Sequence, residues 1–166
     1  MRRSAARRTD GGASGPVSPD PIVVRPVRRG DLAQIIAIDA TVTGLEKRDY
    51  WRSIYRRYGD SGDVERQFLV AYVGERVVGF VIGEVRDWEF GSPPCGWVFA
   101  IDVKPDSRQA GVGTRLLEAI CTSFRRAGVR MVRTMLGRDN TLILSFFRSQ
   151  GMMAGPFIPL EMDLGS

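Results

Sequence analysis

The chain has 166 residues, 43% of them hydrophobic and 26% charged, the balance of a single globular domain long enough to bury a core. No apolar run approaches the ~18 residues that a membrane-spanning helix needs. The sequence contains no histidine, which removes the usual zinc sites and every Ser–His, Cys–His or histidine-base mechanism.

Residues 1–21, with paired arginines followed by Gly, Ser and Pro rather than by an apolar stretch, read as a disordered basic N-terminal tail and not as a secretory signal. The net charge of +5 belongs to this end. Residues 1–30 hold seven arginines against two aspartates, whereas residues 31–166 hold 17 basic and 17 acidic side chains. The body is therefore no basic platform for nucleic acid. Residues 22–166 read as one domain, beginning with the strand "IVVRPV". Asp31 and Gln34 then form a capping-box pattern at the start of a helix whose apolar face is Leu32, Ile35, Ile36 and Ile38. A second helix, "KRDYWRSIYRRYG", carries Tyr50, Trp51, Ile54, Tyr55 and Tyr58 at helical spacing.

A block of strands follows. "FLVAYVGERVVGFVIGEV" is two apolar runs joined by a Gly-containing turn, the signal of a hairpin, and "WVFAIDV" is a fourth strand. The stretch "VKPDSRQAGVGTRLLEAI" leads through a glycine loop into a helix over Thr114–Ala127, with Leu116, Leu117, Ile120, Cys121 and Phe124 on one face. "VRMVRTML" predicts a fifth strand, "TLILSFFRSQG" a helix closed by Gly151, and "FIPLEMDL" a last strand with alternation at Ile158, Leu160, Met162 and Leu164. The two cysteines, Cys95 and Cys121, form no CxxC pair.

The glycine loop carries the first chemical signal. Gly111 and Gly113 allow close backbone approach, and the first amides of the following helix have no internal partners, so the turn can hold an anion. It lacks the third glycine of a dinucleotide fingerprint and the Lys-Ser/Thr of a P-loop.

Two segments together resemble the GNAT (GCN5-related N-acetyltransferase) superfamily. The first is Val103, Pro105, Arg108, Gly111, Gly113, Leu116 and Leu117, similar to the family's V-x-P, R/Q-x-x-G-x-G/A and double-leucine motif. The second is Asn140, Phe146, Phe147, Gly151 and Met152, similar to its N-x-x-A-x-x-[LF]-[YF]-x-x-x-G-[FM] segment. The element order agrees over residues 22–164.

The resemblance implies an α/β (α+β mixed) GNAT acyltransferase fold: a central mixed sheet of six to seven strands flanked by about four helices. It implies acetyl-CoA as acyl-donor co-substrate, with no metal. Backbone groups around Ile101, Asp102 and Val103 would pair with the pantetheine arm. The amides of Gln109, Ala110, Gly111, Val112 and Gly113 would take the pyrophosphate, with Arg108 adding charge and Thr114 its hydroxyl. Asn140, Phe146 and Phe147 would flank the acyl end. Partners are acetyl-CoA and an amine acceptor, with no membrane, a homodimer as an assembly open to the family, and a cytoplasmic setting.

The acid and base do not carry over. Phe147 stands where many members have a tyrosine, and Trp97 and Met135 stand where different branches have a glutamate. Glu84, at the end of the third strand, is the candidate catalytic base, ahead of Asp87, Glu89 and Asp102. Tyr50, Trp51 and Tyr55 are candidates to line the acceptor side. The expected function is acetyl-CoA-dependent N-acetyl transfer to a primary amine by direct attack, on a protein or a small molecule. The alternatives are a non-catalytic acyl-CoA-binding module of the same fold, or a nucleic-acid binder acting through the basic tail.

Overall fold

The computed structural model describes residues 20–60 and 62–165, so the expected N-terminal tail lies outside the described residues except for Asp20 and Pro21. The chain forms β1 (Ile22–Pro26), α1 (Leu32–Thr43), α2 (Arg48–Tyr58), β2 (Arg66–Val73), β3 (Arg76–Arg86), β4 (Cys95–Val103), α3 (Val112–Arg126), β5 (Val132–Arg133) and α4 (Thr141–Ser149). The strands make one mixed sheet in the order β1-β2-β3-β4-β5, antiparallel as far as β4 and parallel between β4 and β5. This is the expected mixed α/β arrangement, with five strands among the described residues instead of six to seven. No helix among them is long and apolar enough to cross a membrane.

The sheet separates two cores. Ile35 and Ile38 of α1 and Trp51, Ile54 and Tyr58 of α2 pack on Phe68, Val70, Phe80 and Ile82. On the other face Leu116, Leu117, Ile120 and Phe124 of α3 pack on Leu69, Val81 and Val98. The central strand β3 is buried without interruption from Val77 to Gly83, because helices cover both of its faces.

Three glycines seat α3. A Cβ on Gly79 would lie 3.1 Å from Leu116, one on Gly83 would lie 2.9 Å from Phe124, and one on Gly96 would collide with the Phe124 ring. Leu116, Ile120 and Phe124 recur at helical spacing along this groove and share one stripe of the helix. The helix thus runs back along β4, with its C-terminal end held at Gly96 and its first turn left beside the end of β4.

Three expectations change. The segment Phe157–Leu164 forms no strand, and Ile158, Leu160, Met162 and Leu164 are 81–91% exposed. Alternation alone needs an edge to pair with, and Pro159 interrupts the run of donors. The β5 pairing covers two residues where "VRMVRTML" suggests eight. Asp31 and Gln34 also do not cap α1. The Asp31 carboxylate takes the Arg28 amide at 2.6 Å and contacts Arg25 and Tyr72, while Gln34 Oε1 accepts the Val77 amide at 2.9 Å across to β3.

The groove can be tested directly. Gly96→Ala should lower the urea-unfolding free energy by about 1–3 kcal/mol through overpacking against Phe124. Gly30→Ala, where a Cβ meets nothing within 4 Å, should stay within about 0.5 kcal/mol of the parent.

Candidate active site

The sheet opens beside β4. Gly96 and Trp97 pair with Val132 and Arg133, after which β5 leaves the ladder. Thr134 makes a last tie, its hydroxyl donating to the Val98 carbonyl at 2.8 Å. From Val98 to Val103 the β5-facing edge of β4 has no strand partner among the described residues. Such an edge offers main-chain donors and acceptors to an extended ligand. The Ile101 and Val103 side chains pack toward the α3 core.

At the end of that edge, a 3-10 turn over Pro105–Ala110 leads to Gly111 and then to α3. Gly111 is exposed with φ +78°, a left-handed conformation that only glycine takes without strain. The amides that open α3, from Val112, are the unpartnered donors of a helix N-terminus and carry its positive dipole end. Arg108 is exposed beside them, its Nε donating to the Val103 carbonyl at 3.2 Å. Gly113 has another reason to be glycine: it is buried, and a Cβ there would lie 2.9 Å from the Phe146 ring. Gly111 therefore serves the loop, and Gly113 serves the packing of α4 on α3.

Asn140 is exposed at the start of α4, and its Oδ1 accepts the Ile143 amide at 3.2 Å, a helix cap. Phe146 and Phe147 stack with ring centres 5.2 Å apart, Phe146 over Gly113 and Phe147 buried in the α3-side core.

The candidate base lies on the other face. Glu84 of β3 pairs across the ladder with Trp97 of β4. Its Oε2 accepts the Tyr58 hydroxyl at 2.8 Å, and its Oε1 accepts Arg86 Nε at 3.1 Å. Burial, followed by the bond to Glu84, raises the Tyr58 hydroxyl above its usual 10. The β3–β4 register shifts between Ile82 and Gly83, which face Ala100 and Val98, so Phe99 is an extra residue bulged out of β4. Its ring packs edge-on against Tyr58 at 5.2 Å.

Next to this cluster is a cavity of about 620 Å³, walled by Trp97, Val98 and Phe99 of β4, by Met135 beyond β5 and by residues 158–160. Trp97 and Met135, the two positions without the glutamate of other family branches, both line it. The Trp97 indole Nε1 is buried with no hydrogen-bond partner among the described residues. An orphan donor of that kind costs roughly 1–3 kcal/mol.

The remaining candidates are distributed differently. Asp87 and Glu89 are exposed, and Tyr50 is exposed on α2. Trp51 is buried, its Nε1 donating to Asp39 at 2.9 Å, and Lys47 pairs with the same carboxylate at 3.0 Å. Tyr58 and Arg86 were absent from the candidates. Arg86 was within reach of sequence reasoning, since it lies two residues from Glu84 on a strand and so shares its face. Tyr58 had no such signal, because its partner comes from an element 26 residues away.

Residues 33–152 match the family described as "Acetyltransferase (GNAT) family". A relative, the L-2,4-diaminobutyric acid acetyltransferase of Nocardia farcinica, is 32% identical over 87 residues, which are 52% of this chain and 44% of that protein. The chain thus matches less than half the length of this relative. Among solved structures, the aminoglycoside N-acetyltransferase AAC(6')-Iy in complex with CoA superposes with a TM-score of 0.78 at 17% identity, covering 91% of this chain and 99% of its own. Ard1 from Thermoplasma volcanium superposes with a TM-score of 0.65 at 21% identity, covering 78% and 81%. The chain belongs to the acetyltransferase (GNAT) family.

Asp102, on the α1 side of β4, has its carboxyl pushed up to about 6, first by burial and then by Asp39, against the opposing pull of Arg108 and Lys47. The folded state therefore keeps this proton at pH values where the unfolded chain, with an ordinary pKa of 3.8, has released it. The contribution to stability is full below about pH 4 and is lost as pH rises through about 6. Asp102→Asn should flatten the pH dependence of unfolding between those limits and stabilise the protein at pH 7 by roughly 1–2 kcal/mol, after allowance for partial solvent access. Urea titrations at unit pH intervals from 4 to 7 would show it.

Proposed function

We propose that the chain is an acetyl-CoA-dependent N-acetyltransferase that moves an acyl group from the CoA thioester to a primary amine by direct attack. The observation that carries this reading is the unpaired β4 edge, with the anion-holding turn at one end and the Glu84–Tyr58 pair at the other. CoA bound in this way supplies the activated acyl group. Ile101 and Val103 would bond the pantetheine arm through their main chains, while Asp102 between them turns its carbonyl toward β3. The amides of Gln109, Ala110, Gly111, Val112 and Gly113, with Arg108 and Thr114, would hold the pyrophosphate. Asn140, Phe146 and Phe147 would bound the α4 side. The fit to these residues is chemical: an α3 N-terminus with unpartnered amides suits a diphosphate without a metal.

Glu84 would accept the proton of the attacking amine. An amine of pKa about 10.4 loses its proton at pH 7 at a cost of roughly 4–5 kcal/mol, whereas one near 8 costs about 1. Tyr58 and Arg86 fix the carboxylate's direction through one oxygen each. The bulge at Phe99 leaves main-chain groups outside the β3 ladder, where an amide can polarise the thioester carbonyl. The acceptor side is the 620 Å³ cavity, a size suited to a small amine. The relative and the structural neighbour that act on diaminobutyric acid and aminoglycosides support a small-molecule acceptor.

A non-catalytic acyl-CoA module is the second reading, favoured by Phe147, Trp97 and Met135 at positions where other branches place acid and base. Release of CoA thiol from acetyl-CoA with a panel of amines separates the two. Tight CoA binding without turnover would establish the module.

If Glu84 takes the proton, Glu84→Gln should lower kcat by roughly 10²-fold for an amine of pKa near 10 and much less for one near 8. CoA affinity should hold, and an equal loss for both amines would remove Glu84 from proton transfer. Gly111→Glu, which adds bulk and negative charge at the turn, should weaken CoA binding by roughly 100-fold or more, read by calorimetry.

A further inference from the structure

The wall of the acceptor-side cavity has one kind of charge. Aromatic rings and aliphatic side chains make up nearly all of its lining, and among the described residues Arg86 is the only charged side chain lining it. The Arg86 guanidinium lies 4.5 Å above the centre of the Trp97 ring, and its Nε donates to Glu84 Oε1 at 3.1 Å. Among the described residues neither Nη group has a hydrogen-bond partner. Stacking on Trp97 and the bond to Glu84 fix the plane of the guanidinium while leaving its outer donors free.

The surroundings add donors rather than acceptors. Arg57 and Arg66 are close enough to Tyr58 to act on its hydroxyl. Trp97 contributes a buried N–H without a partner. Glu84 is the carboxylate in contact with this cluster, and both of its oxygens are already engaged, by Tyr58 and by Arg86 itself. Asp87 and Glu89 follow Arg86 in the chain but do not line the cavity.

We propose that the acceptor amine carries a carboxylate on an apolar or aromatic body, and that the free fork of Arg86 recognises that carboxylate. The proposal rests on the acetyl-transfer reading above. A guanidinium with two free Nη groups matches a carboxylate in bidentate geometry, and the rings of Trp97, Phe99 and Phe90 fit an apolar body. An acceptor with several ammonium groups would meet a wall that has a free cation and no free carboxylate. This assigns a chemical class to the substrate and makes Arg86 a specificity-determining residue.

A matched pair of primary amines tests the proposal: 4-(aminomethyl)benzoate and 4-(aminomethyl)benzamide, which differ in the anionic group and hardly in the reacting amine. Spermidine serves as the polycationic comparison. The parent protein should acetylate the benzoate with a kcat/KM at least tenfold above that of the benzamide, and above that of spermidine. Arg86→Gln should reduce the benzoate/benzamide ratio to about one, and Arg86→Lys, which keeps the charge but not the fork, should restore part of it. The ratio cancels any effect of these changes on Glu84, and CoA affinity measured by calorimetry shows that each variant is folded. A parent ratio near one, or a ratio that survives Arg86→Gln, overturns the assignment. If no amine is acetylated, the transfer reading fails separately, and binding of the same pair to CoA-loaded protein decides the site. Tighter binding of the benzoate, lost in Arg86→Gln, upholds the anion site, and equal binding overturns it.

Discussion

The structure depends on the unequal sharing of β4 between its neighbours. It is laddered to β3 from Cys95 to Val103 except at the Phe99 bulge, and to β5 through two residue pairs only. A strand held firmly on one side and released on the other keeps its shape while presenting unpaired main-chain groups. The release is anchored at both ends: by Gly96 and Trp97 on β5, and by the Lys104 amide, which donates to the Val78 carbonyl at 2.8 Å. An extended ligand can add to that edge without the sheet having to rearrange.

The placement of α3 follows from the same strand. A helix of 15 residues is about 22 Å long, so contact at Phe124 with Gly96, near the start of β4, leaves the opening turn of α3 near the end of β4. The groove of Gly79, Gly83 and Gly96 lets the helix lie close enough for this geometry to be rigid. On the opposite face the polar ties do similar work. Asp39 joins α1 to Trp51 and Lys47, and Gln34 joins α1 to β3. Buried polar groups with their partners in place fix relative orientation more sharply than apolar contact, because a shifted helix would leave them unsatisfied. The Glu84–Tyr58 bond depends on this, since one partner comes from the sheet and the other from α2.

The half of the candidate site that is made of backbone was legible in the sequence, and the half that is made of side chains was less so. The turn at Arg108–Gly113 is local: glycine conformation, proline and helix start lie within one stretch of chain, so spacing alone describes it. Even there Gly113 has a second reason to be glycine that spacing does not show, because its bare Cα makes room for Phe146, 33 positions further on. Glu84 could be placed at a strand end from pattern, but its partners required knowing which elements meet. The expected last strand failed for a related reason. Alternation at Ile158, Leu160, Met162 and Leu164 describes a segment fit to be a strand, while pairing is a property of two segments. The released segment instead forms a wall of the cavity through Ile158, Pro159 and Leu160.

In the proposed function the choice of acceptor rests on that cavity and not on the fold. Proteins that share this architecture at 17–21% identity include an aminoglycoside N-acetyltransferase and Ard1. In this chain the β4 edge and the α3 N-terminus are formed by main-chain groups, and the proposed function assigns both to CoA. The side chains beyond Trp97 lie where β5 has left the sheet, so they no longer have to pack on a neighbouring strand. Around the cavity the chain has three aromatic residues, Phe90, Trp97 and Phe99, and a methionine, Met135, with the Arg86 guanidinium held over Trp97 and by the proposed base. Because Arg86 is bonded to Glu84, an anion seated on its outer donors would lie a fixed distance along one side chain from the carboxylate proposed to take the proton. On that proposal, recognition of the acceptor and removal of its proton would be geometrically linked: an amine whose carboxylate sat on Arg86 would be placed relative to Glu84 by the same guanidinium.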